Sequence, residues 1–172
     1  MHRLFSVGVF CILGGCAAGS GSARTPTDAA PRITPDRAIA ASNATLDRLH
    51  AAAARADGPT YWSCFAPDAD FIGTDATERW TLAEFKDYAD ARFARGQGWA
   101  YTPSDRHLAV LTGGVVMFDE TVTGAEYGAC RGTGVLVPVG DDWKVAQYHL
   151  TLPIPNDLFP EVAERVRRHL AH

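Results

Sequence analysis

An α+β fold, with N-terminal helices packed on one face of a strongly curved antiparallel sheet, follows from three observations. Helical periodicity dominates the first half of the chain. Four strand-like runs follow one another between residues 100 and 152. The turn signals Gly113-Gly114 and Gly140-Asp141-Asp142 fall between those runs. A sheet of this kind can close into a cone with a pocket at its open end. There is no internal repeat.

The elements follow in order. Ile39, Leu46, Leu49 and Ala53 recur at helical spacing from Pro35, and Ala51 to Ala54 add propensity, so a helix is expected to run until Gly58-Pro59. A short helical segment carries Tyr61, Trp62 and Phe65. Phe71 and Ile72 begin a strand, Gly73 to Thr77 is turn-like, and Trp80 lies on the returning arm. Thr81 with Glu84 forms a capping-box signature for a helix with Leu82, Phe85, Tyr88, Ala89 and Phe93 on its apolar face, ending near Gly96 and Gly98. Strands are expected at about 100–111, 115–123, 125–138 and 142–152, stopped by Pro153 and Pro155. A terminal helix over 157–170 places Leu158, Val162, Val166 and Leu170 on one face, with Arg165, Arg167 and Arg168 near its C-terminus.

The N-terminus has a different character. His2 and Arg3 precede the apolar run Leu4 to Leu13, which ends in Leu13-Gly14-Gly15-Cys16. This reads as a secretory signal. About ten apolar residues are too few to span roughly 30 Å of hydrocarbon. Leu-Gly-Gly-Cys resembles the lipobox of bacterial lipoproteins, which implies cleavage before Cys16, lipid on Cys16 and a mature chain held at a membrane outside the cytoplasm. Ala17, with no Asp after the cysteine, resembles signals permitting export to an outer membrane. The expected location is therefore the periplasmic face of the outer membrane in the cell envelope. Residues 17–36, rich in Ala, Gly, Ser, Thr and Pro, read as a flexible tether. The expected organisation is 1–15 signal, 16–36 tether, 37–160 domain and 161–172 C-terminal helix.

Sixteen Lys and Arg against 20 Asp and Glu give a net charge of −4, without any basic block. Nucleic acid is therefore a poor partner. Cys64 and Cys130 can form a disulfide in an oxidising compartment; the alternative is two buried thiols. Neither lies in a CxxC or at ligand spacing from a histidine, so no metal site is indicated. Nucleotide and flavin motifs are likewise missing, and no cofactor is expected. No GxSxG elbow marks a serine hydrolase.

Four segments carry a family resemblance. They are Phe71-Ile72-Gly73-Thr74-Asp75-Ala76-Thr77-Glu78-Arg79-Trp80, Phe118-Asp119-Glu120, Cys130 to Leu136, and Trp143 to Leu150 with the following Pro153-Ile154-Pro155-Asn156. Together they resemble SnoaL-like proteins of the NTF2-like superfamily over about residues 38–160. The resemblance implies a conical domain with an apolar pocket, often a homodimer through the outer face of its sheet. It does not fix a reaction, because the superfamily includes enzymes, binding domains and assembly domains.

Candidate ligand-binding residues are Trp62, Phe71, Trp80, Asp119, Glu120, Arg131, Tyr148 and His149. The aromatics suit pocket walls. Asp119 and Glu120 are adjacent on a strand, so at most one enters the cone, and apolar neighbours on both faces leave the choice open. A carboxylate buried there is a usable acid or base. Arg131 can pair with it or hold an anion. Along the last strand Ala146, Tyr148, Leu150 and Leu152 form one face, and Val145, Gln147, His149 and Thr151 the other; patterning puts Tyr148 inside. No catalytic set can be transferred residue by residue. The leading expectation is a membrane-tethered domain binding a small apolar ligand or an envelope protein. The alternative is an acid/base isomerase, cyclase or dehydratase acting on a small apolar substrate.

Overall fold

The computed structural model describes residues 33–171. The signal segment, Cys16 and the chain up to residue 32 lie outside the described residues. Ten elements follow in the order α1 (Pro35–Ala54), α2 (Gly58–Ser63), β1 (Phe65–Ile72), β2 (Arg79–Thr81), α3 (Leu82–Phe93), β3 (Tyr101–Val110), β4 (Val116–Gly124), β5 (Gly128–Val139), β6 (Asp142–Thr151) and α4 (Phe159–Leu170). α1 starts at Pro35, inside the segment read as tether, with Thr34 as its cap. The α3 capping box between Thr81 and Glu84 is formed.

The strands make one curved sheet in the order β2-β1-β6-β5-β4-β3. Four ladders are antiparallel, but β1 pairs with β6 in parallel. β1 also begins earlier than the sequence suggests, at Phe65, which belongs to the strand and not to α2. Three extra residues sit between Phe65 and Asp70 relative to β6, and this irregularity houses Pro67.

Burial fixes the helix layer. α1 puts Ala38, Leu46, Leu49 and Ala52 against the sheet, where they meet Leu136, Trp143 and Val145. Polar contacts set its position. Thr45 Oγ1 donates to the Trp143 carbonyl at 2.8 Å, and Arg37 meets Asp141 at 3.0 Å. The Trp143 indole donates to the Gly114 carbonyl at 2.8 Å, which fastens the turn before β4 to the core.

Two β-bulges reverse the alternation of inner and outer residues. In β6 the register shifts between Val135 and Leu136 of β5, with Val135 opposite Gln147 and Leu136 opposite Val145. Ala146 is the extra residue. Val145, which alternation alone places outside, is therefore fully buried together with Trp143, while Tyr148 is also buried. In β3, Ser104 faces Thr121 and His107 faces Asp119, so Asp105 and Arg106 together oppose Glu120. Asp105 takes φ +46, the left-handed conformation that Asp tolerates and β-branched residues resist. Before the bulge Tyr101 and Pro103 point inward; after it Arg106, Leu108 and Val110 do.

Cys64 and Cys130 are free buried thiols, so the disulfide considered from the sequence is not formed. Cys64 closes α2, and its carbonyl accepts from Val145 N, whereas Cys130 sits in β5 opposite Val122.

The Asp105 bulge can be tested directly. Asp105→Gly is expected to keep the fold, and Asp105→Val to cost about 1–3 kcal/mol more in urea unfolding, because only the second strains the left-handed residue.

Candidate active site

α1 supplies a polar stripe beside its apolar one. Asn43, Asp47 and His50 stand at i, i+4 and i+7, on one line of the helix. That line faces Glu120 of β4 and the bulge residue Arg106 of β3. His50 Nε2 lies 2.6 Å from Glu120 Oε1, and Arg106 Nε donates to Glu120 Oε2 at 2.7 Å. Arg106 Nη1 reaches Asp47 Oδ1 at 2.7 Å and Asn43 Oδ1 at 3.2 Å. Tyr148 donates its hydroxyl to Glu120 Oε1 at 3.3 Å.

Close approach at β5 makes the last contact possible. Gly132 stands opposite Glu120, and a Cβ there would collide with the Tyr148 hydroxyl. Tyr148 therefore leans across a position where any side chain would have to displace its hydroxyl.

The Glu120 side chain is wholly buried. Burial by itself pushes a carboxyl up; His50 and Arg106 more than offset it, and the net effect holds Glu120 below the usual carboxylate range. Glu120 is therefore an ion in the folded protein. Arg106 is pushed down by burial and pulled up further by Glu120 and Asp47, so it stays a cation. Burial, reinforced by the Glu120 charge, drives the Tyr148 phenol well above its ordinary value and keeps it a donor.

An ionised carboxylate only accepts, so Nε2 of His50 carries the hydrogen in that bond. Nδ1 has no hydrogen-bond partner among the described residues. The His50 ring also lines a cavity of about 220 Å³. Glu120 lies behind the cavity, reached through His50 and Tyr148.

The cavity wall is aromatic. Phe71 stacks on Phe85 at 3.8 Å between ring centroids and on Tyr148 at 5.9 Å. Trp80 lies within 8° of the Phe85 plane, and Trp99 within 25°. The rim is polar, with Thr74 and Glu78 from the β1–β2 turn, Arg92 from α3, and Glu126 and Tyr127 from the β4–β5 turn.

Of the residues singled out from the sequence, Phe71, Trp80 and Tyr148 line the cavity and Glu120 anchors its floor. Trp62 does not line it; its rings pack on Phe85 and Phe93, and its indole donates to Asp90 at 2.7 Å. Asp119, Arg131 and His149 lie on the opposite face of the sheet, each next to an inward residue. His149 Nε2 meets Thr151 there at 3.1 Å. The cation beside Glu120 is thus Arg106 in place of Arg131, and the imidazole is His50 in place of His149. The i, i+4, i+7 stripe of Asn43, Asp47 and His50 was the available signal for the latter. Arg106 had none, because a bulge turns it inward.

A model of the SnoaL-like domain matches residues 43–155. No curated protein matches the chain by sequence. Similar solved structures include a candidate dehydratase of the NTF2-like family from Streptomyces avermitilis, with 15% identity over 71% of this chain and 100% of that one and a TM-score of 0.61. A candidate scytalone dehydratase from Novosphingobium aromaticivorans is 10% identical over 70% and 89%, with a TM-score of 0.59. A domain of unknown function with a cystatin-like fold from Nostoc punctiforme is 13% identical over 81% and 94%, with a TM-score of 0.63. At these identities the likeness establishes the fold alone.

Two measurements test the network. Glu120 has a lowered carboxyl value, so its stabilisation is full above its ordinary value of 4.5 and is lost as pH falls through the folded value. Glu120→Gln is expected to cost about 3 kcal/mol at neutral pH, with the gap to wild type closing in acid; a gap unchanged by pH would mean that Glu120 is not ionised. Gly132→Ala is expected to unseat Tyr148 from Glu120, read as a change in tyrosine near-ultraviolet dichroism with the sheet retained.

Proposed function

The chain belongs to the SnoaL-like domain family, and from that premise we propose that its cavity is the active site of an acid/base enzyme of the isomerase, cyclase or dehydratase type. The observation that carries this reading is His50. Its Nε2 is fixed to a buried ionised carboxylate, its Nδ1 is unpartnered among the described residues, and its ring borders the cavity. A general base needs this arrangement, a group in reach of substrate whose orientation is held from behind.

Nδ1 takes a proton from the substrate. The resulting imidazolium is stabilised by Glu120 through the Nε2–H bond, while Glu120 keeps its bonds from Arg106 and the Tyr148 hydroxyl. Return of that proton to another carbon gives isomerisation; its delivery to a leaving hydroxyl gives loss of water. The stacked wall of Phe71, Trp80 and Phe85 favours a planar, largely apolar substrate. The volume supports one or two rings, since a cavity of about 150 Å³ holds benzene. The two dehydratase-type descriptions among the structural neighbours agree with the reaction class.

We also infer that Cys16 carries lipid and holds the domain at the periplasmic face of the outer membrane. The outer face of the sheet, bearing Asp119, Arg131 and His149, is the surface available for pairing with a second copy.

Native mass spectrometry of the purified chain identifies any retained small molecule, and a panel of small hydroxylated or keto ring compounds then reads turnover. His50→Gln is expected to keep binding while losing about 10²–10⁴-fold in rate. Equal turnover by the variant would remove His50 from the chemistry, and ligands bound but never changed by wild type would favour a binding domain instead. Cys16→Ser is expected to move the protein from the membrane pellet to the soluble fraction.

A further inference from the structure

Among the described residues, apolar surface is concentrated at the C-terminal end. Twelve large apolar side chains are exposed, and Leu152, Ile154, Leu158, Phe159, Val166 and Leu170 make up half of them. Four of these lie in or next to α4, a helix with no buried residue. Most helices in proteins draw their stability from packing an apolar face, and this one buries none of its residues.

The pattern around α4 is informative. At 100° per residue, Phe159, Val162, Ala163, Val166 and Leu170 fall on one face. Arg165, Arg167 and His169 border that face, and Arg168 falls on the far side with the carboxylates Glu161 and Glu164. Glu161 pairs with Arg165 at 2.9 Å and Glu164 with Arg167 at 2.7 Å, which supports the helix from its polar side. Cations flanking an apolar stripe, with acids opposite, fit an anionic lipid surface, where long basic side chains reach the phosphates.

We propose that α4 is an interfacial helix that lies on the lipid bilayer, with Phe159, Val162, Val166 and Leu170 in the acyl boundary. This rests on the Cys16 anchor of the preceding reading. Sixteen residues separate Cys16 from Ile33, and the segment reaches at most about 60 Å, so an anchored domain stays within that distance of lipid. Tethering raises the effective concentration and makes a weak interfacial helix sufficient. A second copy is a poorer occupant, because a twelve-residue stripe offers far less than the roughly 800 Å² per partner of a stable interface.

Hydrogen exchange on the full chain tests this, with and without vesicles of phosphatidylethanolamine and phosphatidylglycerol. Amides of α4 are expected to exchange fast in buffer and at least about tenfold more slowly on vesicles. A Val166→Glu, Leu170→Glu double variant should lose that protection while its sheet amides stay unchanged, which separates membrane contact from misfolding. Equal exchange with and without vesicles would overturn the proposal, as would protection in buffer that grows with protein concentration, the mark of a second copy. The anchor fails separately: intact mass reports lipid on Cys16, and a lipidated chain whose α4 exchanges freely on vesicles refutes the helix alone.

Discussion

A carboxylate without solvent is the constraint around which this domain is arranged. Removing an ion from water costs several kcal/mol even after relaxation, so Glu120 is tolerable only with its oxygens occupied. Its partners come from three separate elements: His50 from α1, Arg106 from β3 and Tyr148 from β6. Each needs a local device to arrive. His50 needs α1 fixed in rotation by Thr45 and Arg37, Arg106 needs the bulge at Asp105, and Tyr148 needs a glycine opposite Glu120. An apolar side chain at position 120 would serve packing about as well. What the ion adds is a fixed imidazole with one nitrogen turned away from the network.

The cavity wall complements that imidazole. Aromatic rings exclude water from one side of the site, and a dry wall strengthens every polar interaction within it. The same rings form the packing between α3 and the sheet, so the pocket is the unfilled end of the core. Phe85 shows this continuity: it is buried, it stacks on Phe71 and Trp80, and it lines the cavity. The polar groups of the rim come from the β1–β2 turn, α3 and the β4–β5 turn. A substrate with an apolar body and few polar atoms matches this gradient from the aromatic wall to the mouth.

Local physics made much of the fold legible in the sequence. The Thr81–Glu84 capping box, the glycine turns and the apolar stripes of α1 and α3 act over a few residues, and they specified the element order and the helices-on-sheet plan. The placement of Tyr148 inside followed from simple alternation. Trp62 satisfied the same apolar criterion as Phe71 and Trp80, yet it packs one layer away from the cavity, because an aromatic residue signals burial without saying which void it borders.

The sequence by itself determined the fold class, the order of its elements and the presence of one carboxylate able to enter the cone. Tertiary structure decided which side chains meet there. Bulges at Asp105 and Ala146 reverse the two-residue alternation, so reading by parity points to the wrong face for Val145 and gives no warning of Arg106. Docking of α1 on the sheet joins residues 70 positions apart, His50 and Glu120, and no local pattern encodes that distance. Asp119, Arg131 and His149 have suitable chemistry but point outward, because inside and outside are properties of the curved sheet with its helix layer and not of the strand.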